Sequence, residues 1–521
     1  MAESRTQAAS SYKPMRAPRG PQLSCKGWQQ EAALRLLMNS VDPAIAEHPQ
    51  ELIISGGIGK LARDWQAFQA IAESLRALHH DETLVVYDGE PGPVLKTNPD
   101  MPRVLVANSV VPPASPAARM AADWMFTGPA SALPEACQVF RAAAKKHFGG
   151  SLAGRLAVAG GMGGMGGAQA LAATLNGAAF LGIDADIDAI KRRVKGGYCE
   201  VMVNNLDEAL RILKNAVRKR ELASVGFIGN AAELLPEFVR RGVLPDMLTD
   251  QTPADDPFSY IPQALTVAQA AALREQEPNA YRERALDSIA TQVRAMLEFR
   301  KIGAVVFEFG NGIRAQALAR GVAGADAIPG FISEYLLPDL EQNCGLVTFV
   351  ALSGDSGDIA RVDDLFRTVF SEGELRQWIG IARRHPSPGL PARSCWIAAD
   401  DASKLGAAVN DLVARGEIKA PVAMGRSIRQ NRTRHLPGSQ PPAKSANSSA
   451  GGQAPSDSPE FRALLDAARG ASWLSAHTST LPDEGRERSA AFIVIDGSPQ
   501  TPERVERLFA KDFVSRQSGA H

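Results

Sequence analysis

The residues best suited to chemistry in this chain surround a glycine-rich turn. An apolar run over Leu156–Ala159 leads into Gly161, Gly163 and Gly166, and a helical pattern starts at Ala168. Glycines at this spacing let the backbone turn tightly and approach a pyrophosphate. The helix that follows offers free N–H groups and its positive dipole end to the phosphates. This stretch therefore predicts an anion-binding loop between a buried strand and a helix.

An acidic residue follows at the distance that a dinucleotide site requires. A second apolar run, residues 178–183, ends at Asp184, about 20 residues after the glycines. A carboxylate at the end of this second strand can accept hydrogen bonds from a ribose. The order of strand, loop, helix, strand and acid favours a dinucleotide. The alternative is a glycine loop that serves only close packing.

Three more polar loops follow strand-like segments: Gly229–Ala232, Thr249–Thr252 and Gly310–Arg314. The carboxyl ends of parallel strands form the ligand crevice of a doubly wound sheet, so we expect these loops to face a common site. Taken singly, their Asn, Asp and Gly residues satisfy turn geometry. Their shared position at strand ends favours a binding function.

Cys395 is the cysteine with the most suggestive surroundings. A lone cysteine is most often a small buried hydrophobic residue, but Arg393 nearby would favour a thiolate. His435 and His477 lie in or near polar, flexible sequence, and we expect them to be solvated. No Cys/His spacing indicates zinc, so no metal site is predicted.

The pattern between residues 128 and 336 alternates strand-like and helical segments, which predicts an α/β fold with a Rossmann-like, doubly wound parallel sheet. We expect this domain to be inserted between the segments 15–127 and 337–521, which would form a second, core α/β domain. In the first of these, a helix is predicted over 27–48 and a short strand over Ile53–Ile58. Residues 1–14 and 430–458 are predicted to be disordered or flexible.

Composition excludes several classes of function. Lys+Arg and Asp+Glu both number 57, so no global field would recruit nucleic acid or an anionic membrane. No apolar run approaches 18 residues, and the polar, basic start is unlike a secretory signal. The five cysteines are scattered, as in a reducing compartment. We therefore expect a cytoplasmic protein with a small-molecule partner.

Together the motifs resemble the urocanate hydratase (urocanase) family over roughly residues 15–429 and 459–515. The stretches that carry the resemblance are Arg16–Gly20, Leu23–Met38, Gly56–Lys60, Gly163–Gln169, Thr249–Thr252, Ala351–Asp355, Gly389–Arg393, Cys395–Trp396 and Gly470–Trp473.

The resemblance implies a hydro-lyase with tightly bound NAD+ and no net redox. In this family the oxidised nicotinamide acts as an electrophile toward the imidazole ring of urocanate, water adds, and the coenzyme is released unchanged. The resemblance also implies a homodimer and a role in histidine degradation. It places the family's active-site cysteine at Cys395. The implied cofactor-binding residues are Gly56, Gly164, Met165, Gly166, Asp184, Asn230, Ala231, Gln251, Thr252, Asp255, Tyr260, Ile261 and Phe309.

The chain departs from the family pattern mainly on the substrate side. Thr348 stands where the family has the arginine expected to bind the substrate carboxylate, and a threonine cannot form a bidentate ion pair. The acids of a later motif are absent from Gly425–Gln430. Other family residues are replaced at Ser55, Ala118, Asp184, Ala189, Asp255, Phe309 and Thr478–Glu484.

These departures leave two hypotheses open. The first is a diverged hydratase acting on urocanate or a modified imidazole acrylate, with Arg426, Arg429, Arg432 or Arg434 replacing the missing cation. The second is a catalytically silent NAD-binding paralogue. An ordinary NAD oxidoreductase is disfavoured, because the resemblance extends over most of the chain.

Overall fold

The structure is a computed structural model that describes residues 14–54, 59–110, 124–370, 372–429, 458–479 and 488–510. Within these residues the strands form a six-stranded sheet and an eight-stranded sheet. The predictions for residues 1–13 and 430–457 lie outside the described residues.

The N-terminal part supplies two helices and three strands. They are α1 (Trp28–Ser40), α2 (Trp65–Ala77), β1 (Glu82–Tyr87), β2 (Glu90–Lys96) and β3 (Val104–Val110). Helix α1 is shorter than the predicted 27–48, because the chain turns after Ser40 through Asp42, whose side chain accepts a hydrogen bond from the Ala44 N–H. The predicted strand 53–58 is also wrong in its described part, since Ile53 forms only isolated bridges, to His48 and Lys60.

The central part alternates helices and strands, as the pattern predicts. Its elements are α3 (Pro129–His147), β4 (Leu156–Gly160), α4 (Ala168–Leu175), β5 (Ala179–Asp184), α5 (Ile187–Lys195), β6 (Val201–Val203), α6 (Leu206–Lys219), β7 (Ala223–Ile228), α7 (Ala231–Arg241), β8 (Met247–Asp250), α8 (Val267–Gln276), α9 (Pro278–Lys301), β9 (Val305–Glu308) and α10 (Ile313–Ala319).

The strands of this part pair in the order β6-β7-β5-β4-β8-β9, and every pairing is parallel. The chain runs outward from β4 on one side and then crosses to β8 on the other, which is the doubly wound arrangement. Both faces carry helices, and buried side chains such as Val158, Leu181 and Val225 fill the layer between them. The predicted Rossmann-like fold is confirmed.

The C-terminal part completes the second domain. It contains a π-helical turn (Ile332–Leu336), α11 (Leu337–Glu341), β10 (Cys344–Ala351), α12 (Ser356–Val369), α13 (Glu374–Ala382), β11 (Ala392–Ala398), α14 (Ala399–Ala414), β12 (Val422–Arg429), α15 (Pro459–Ala468), β13 (Trp473–Ser479), β14 (Arg488–Ile495) and α16 (Thr501–Phe509).

One mixed sheet joins the two ends of the chain, in the order β11-β10-β12-β14-β13-β3-β1-β2. The junction is the parallel pairing of β3 with β13, in which Val104 lies opposite Trp473. Trp473 and Phe492 face a core shared with α1 and α2, whereas Cys395 and Ile493 face a core shared with α12 to α16. The predicted core domain, built from both ends of the chain, is therefore confirmed.

Candidate functional site

The glycine turn follows β4 at the point where the parallel sheet reverses its strand order. The loop after β8 flanks the other side of this point, since β4 and β8 are neighbours and Gly160 lies opposite Asp250. In open α/β sheets the crevice at such a switch point is where ligands bind. The topology therefore brings the glycine loop and the Thr249–Thr252 loop together.

The glycines of this turn are required by close backbone approach. Gly161 has φ +86°, and a Cβ there would lie 2.4 Å from the Gln251 carbonyl oxygen. A Cβ on Gly166 would lie 2.4 Å from the Gly161 carbonyl oxygen. No larger side chain fits at either position without moving the backbone. The turn is thus packed directly against the loop that follows β8.

Asp184 ties the glycine turn to the end of β5. Its carboxylate accepts hydrogen bonds from the Met162 N–H at 2.7 Å and the Asp186 N–H at 2.8 Å. Burial raises the pKa of Asp184 to about 6, and these two hydrogen bonds oppose the shift. The carboxylate thus lies beside the loop, where the sequence analysis predicts it.

A cavity of about 350 Å³ opens at this crevice, between the two domains. It is lined by most of the predicted cofactor-binding residues. Those that line it are Gly164, Met165, Gly166, Asp184, Asn230, Ala231, Gln251, Thr252, Asp255, Tyr260 and Ile261.

Two predicted cofactor residues remain, Gly56 and Phe309. Gly56 lies outside the described residues. Phe309 is buried and stacks on Phe331 with ring centroids 5.0 Å apart, and it lines a small side cavity together with Met165 and Gln251. Phe309 is therefore placed behind the residues that would touch a coenzyme.

Several of the lining residues also hold the crevice in shape. The Asn230 side chain caps α7 by accepting from the Ala232 N–H and donates to the Ile261 carbonyl at 2.8 Å. The Tyr260 hydroxyl donates to Gln292 Oε1 at 2.6 Å, and Gln292 Nε2 donates in turn to Asp250. The loops around the cavity are thereby fixed to the sheet.

Asp250 is the fully buried anchor of this network. Its carboxylate also accepts from the Thr252 hydroxyl at 2.8 Å and from the Asn311 amide. Burial raises the pKa of Asp250 to about 7, while the donors that surround it favour the charged form. Because its carboxylate accepts hydrogen bonds from Thr252, Gln292 and Asn311, Asp250 positions the loops that follow β8 and β9.

A carboxylate from the N-terminal part of the chain contacts the glycine loop. Glu47 Oε1 accepts a hydrogen bond from the Gly164 N–H, and a Cβ on Gly163 would lie 2.7 Å from the same oxygen. Exposed N–H groups of such a loop bind anions, which accounts for the contact. No motif in the sequence pointed to Glu47, because the contact spans 117 residues.

Cys395, the predicted active-site cysteine, is not among the residues that line the cavity. It is fully buried in β11, opposite Val347 of β10, and packs in the core under α12 to α14. Its neighbour Ser394 lies opposite Thr348, which lines the cavity. Successive residues of a strand face opposite sides, so Cys395 points away. Burial raises the pKa of its thiol to about 12.

The mixed sheet forms the second wall of the cavity with hydroxyl groups and a glycine. Thr348 and Ser394 share a hydrogen bond of 2.8 Å, Gly425 lies opposite Thr348, and Ser427 follows along β12. Thr348 is buried. At the position where the resemblance implies that an arginine is missing, the wall therefore consists of short polar side chains.

Of the arginines proposed to replace that cation, Arg426 lines the cavity, but its guanidinium is paired with an acid of the C-terminal part. Its guanidinium contacts Asp466 at 2.6 Å and lies over the Phe509 ring, 5.7 Å from its centroid. Arg432 and Arg434, and the side chain of Arg429, lie outside the described residues. Arg488, which no motif indicated, lines the cavity from the first position of β14. It lies on the same sheet face as Phe492, four residues later.

His477 differs from the solvated residue that was predicted. It is fully buried in β13, directly opposite Arg488, and lies 3.0 Å from the Ser475 hydroxyl. Burial lowers its pKa well below 6.5, and the charge of Arg488 lowers it further. His477 is therefore held neutral beside Arg488, on the same face of the mixed sheet.

Three family models match consecutive parts of this chain. The urocanase N-terminal domain matches residues 15–121, the urocanase Rossmann-like domain matches 133–335, and the urocanase C-terminal domain matches 338–520. The chain belongs to the urocanase family. In this urocanase-family chain, the Rossmann-like domain supplies the glycine loop and Asp184, and the other two domains supply the opposing wall. No helix among the described residues is long and apolar enough to cross a membrane.

Proposed function

We propose that this protein is a hydro-lyase that adds water to urocanate or to a modified imidazole acrylate, with tightly bound NAD+ and no net redox. The observation that carries the proposal is the cavity between the domains. It joins a dinucleotide-type glycine loop with its acid to a separate polar wall on the mixed sheet. The family membership supports the same chemistry.

The residues at the sheet edge suit NAD+. The N–H groups of Gly164, Met165 and Gly166 lie at the start of α4 and would bind the pyrophosphate, which would take the place of the Glu47 carboxylate at the Gly164 N–H. Asp184 would accept hydrogen bonds from a ribose. A Cβ on Gly166 would collide with the Gly161 carbonyl oxygen, so a glycine is needed where the backbone would bind the phosphates. When bound, the oxidised nicotinamide supplies an electron sink for the conjugated substrate.

The mixed-sheet wall would hold the substrate. Arg488 is the residue we assign to the substrate carboxylate, because the other arginine of this wall among the described residues, Arg426, is directed to Asp466. Strand geometry puts Arg488 about 13 Å along the sheet from the level of Thr348. An imidazole acrylate would thus extend along the wall, with its ring near Thr348 and its carboxylate at the far end.

The protein's contribution is orientation and exclusion of water. Leu346, Met125 and Phe126 line the cavity beside the polar groups and limit access of bulk solvent. When two reactants are held in the right geometry, the reaction no longer has to bring them together from solution. This accounts for a large part of the rate enhancement. A homodimer is also proposed, on the resemblance alone.

The test measures turnover and coenzyme content on the same sample. Purified protein is denatured, and the released ligand is identified by mass spectrometry, with NAD+ expected near one per chain. Native protein is then incubated with urocanate and substituted imidazole acrylates, and loss of ultraviolet absorbance is followed. Bound NAD+ without turnover of any of these acids would favour a silent paralogue. Net formation of reduced coenzyme would contradict the hydratase proposal.

A further inference from the structure

Glu135 is a nearly buried carboxylate on the cavity wall that the motifs do not include. It lies on α3, is 8% exposed, and lines the main cavity one helical turn after Ser131, which also lines it. Residues i and i+4 share a helix face, so both side chains point the same way. The same face of the helix also carries the buried apolar residues Ala132 and Val139, so the acid stands next to the core.

The surroundings of Glu135 place it where the two halves of the site meet. It lines the side cavity together with Met165 of the glycine loop, Gln251 after β8, and Phe309. Helix α3 packs against α4 of the Rossmann-like domain and also against β10 and β11 of the mixed sheet. The carboxylate is thus located between the coenzyme loop and the wall that carries Thr348.

Three other carboxylates that line the cavity accept hydrogen bonds from backbone N–H groups. Glu47 accepts from the Gly164 N–H, Asp184 accepts from two backbone N–H groups, and Asp186 caps α5 by accepting from the Asp188 N–H. Asp255 lies after β8, on the Rossmann-like side of the cavity. Among the described residues, Glu135 is the carboxylate that lines both the main cavity and the side cavity.

We infer that Glu135 is the acid–base catalyst of the hydration, an inference that rests on the proposed function. Its carboxyl proton is transferred to a side-chain carbon of the substrate. The oxygen of one water then bonds to the ring carbon, and the proton that this water loses returns to the Glu135 carboxylate. The sum is the addition of one water, with Glu135 restored and no electron lost from substrate and water together. A positioned carboxyl group can serve both steps.

The deciding variant is Glu135→Gln, with Glu374→Gln as its matched control. Glu374 is exposed and forms an ion pair with Arg141 of α3. Glu374→Gln therefore makes the same substitution next to the same helix, but on the protein surface. For Glu135→Gln we expect unchanged NAD+ content and thermal unfolding, and a fall in kcat of at least about a hundredfold. KM, and calorimetric binding of the saturated analogue imidazole propionate, should change less than about threefold, because a proton carrier is not a binding group.

A rescue experiment separates proton transfer from a structural role. Glu135→Ala is assayed with and without formate, which can enter the space left by the side chain and replace the carboxyl group. Recovery of turnover by formate, and of deuterium incorporation at the side-chain carbon in D2O, supports the inference.

The outcomes distinguish this inference from the proposed function. Active wild-type protein with an equally active Glu135→Gln variant overturns the role of Glu135 alone. Loss of turnover that formate does not restore, accompanied by loss of NAD+ or of analogue binding, assigns Glu135 to structure or binding and also overturns it. A wild-type protein that retains NAD+ but turns over no imidazole acrylate overturns both proposals.

Discussion

Cys395 lies directly opposite Val347 in the antiparallel pairing of β11 with β10, and both side chains enter the core on the far side of the sheet from the cavity. This pairing determines how the cysteine should respond to mutation. Cys395→Ala should lower the free energy of unfolding by roughly 1–2 kcal/mol, because it leaves a small void in a packed core.

Turnover of the folded Cys395→Ala protein should change less than about threefold, since the thiol does not contact the cavity. Denaturant unfolding and turnover per folded molecule are the measurements. Slow alkylation of this thiol in the native state is expected as well, because its pKa is raised to about 12. A loss of turnover of tenfold or more, with normal stability, would return Cys395 to the active site.

Gly166 provides the sharpest test of the coenzyme loop. In Gly166→Ala the new Cβ would meet the Gly161 carbonyl oxygen at 2.4 Å, so the loop must distort. We expect NAD+ affinity to fall at least about tenfold, a change of about 1.4 kcal/mol. Gly380→Ala is the control, because Gly380 lies in α13 with open space around it. It should gain about 0.5–1 kcal/mol in stability and keep its coenzyme.

Asp184 should make coenzyme binding depend on pH. Its pKa is raised to about 6, mainly by burial and also by the nearby charges of Asp186 and Glu47. The carboxylate form, which accepts from a ribose, dominates above pH 6, so NAD+ affinity should rise as the pH increases through this value. Calorimetric titrations between pH 5 and 8 measure the NAD+ affinity. In Asp184→Asn this affinity should change less with pH than in the wild type.

The Asp184 carboxyl group should also make the free energy of unfolding fall as the pH rises, the opposite of its effect on NAD+ affinity. Its folded pKa of about 6 exceeds the ordinary value of 3.8, so the folded state binds more protons between these pH values. The contribution of Asp184 to the free energy of unfolding therefore falls as the pH rises through this window and is lowest above pH 6. Thermal unfolding temperatures of the coenzyme-free wild type and of Asp184→Asn should diverge across this pH window.

Arg488 should determine the affinity for anionic substrates. Loss of one charge-assisted contact to a carboxylate costs about 1.5–3 kcal/mol, so Arg488→Gln should raise KM for an imidazole acrylate roughly 10- to 100-fold. The methyl ester of the same substrate should bind both proteins alike.

Arg426→Gln is the comparison for this test, because its partner is Asp466 and not the substrate. It should lower stability and leave KM within about threefold, since a buried carboxylate would lose its ion pair. Equal effects of both substitutions on KM would contradict the assignment of Arg488.

Local features of the chain were accessible from sequence. The glycine turn, the acid about 20 residues later and the polar loops after β7, β8 and β9 are each encoded within a few residues, and parallel strands bring their ends to one edge. For this reason the predicted fold class and the grouping of Asp184, Asn230 and Gln251 around one cavity agree with the structure. The helix over 27–48 was overextended because apolar spacing alone does not mark the turn at Asp42.

The sequence by itself determined which loops could bind a dinucleotide, since turn geometry and strand order follow from neighbouring residues. Only the tertiary structure decided which side of the mixed sheet each residue faces, because side chains alternate along a strand and the faces become inner or outer only when other elements pack on them. That packing turned Cys395 away from the cavity and brought the Arg426 guanidinium to Asp466. It also brought Glu47, Glu135 and Arg488 to its wall from segments far apart in the chain.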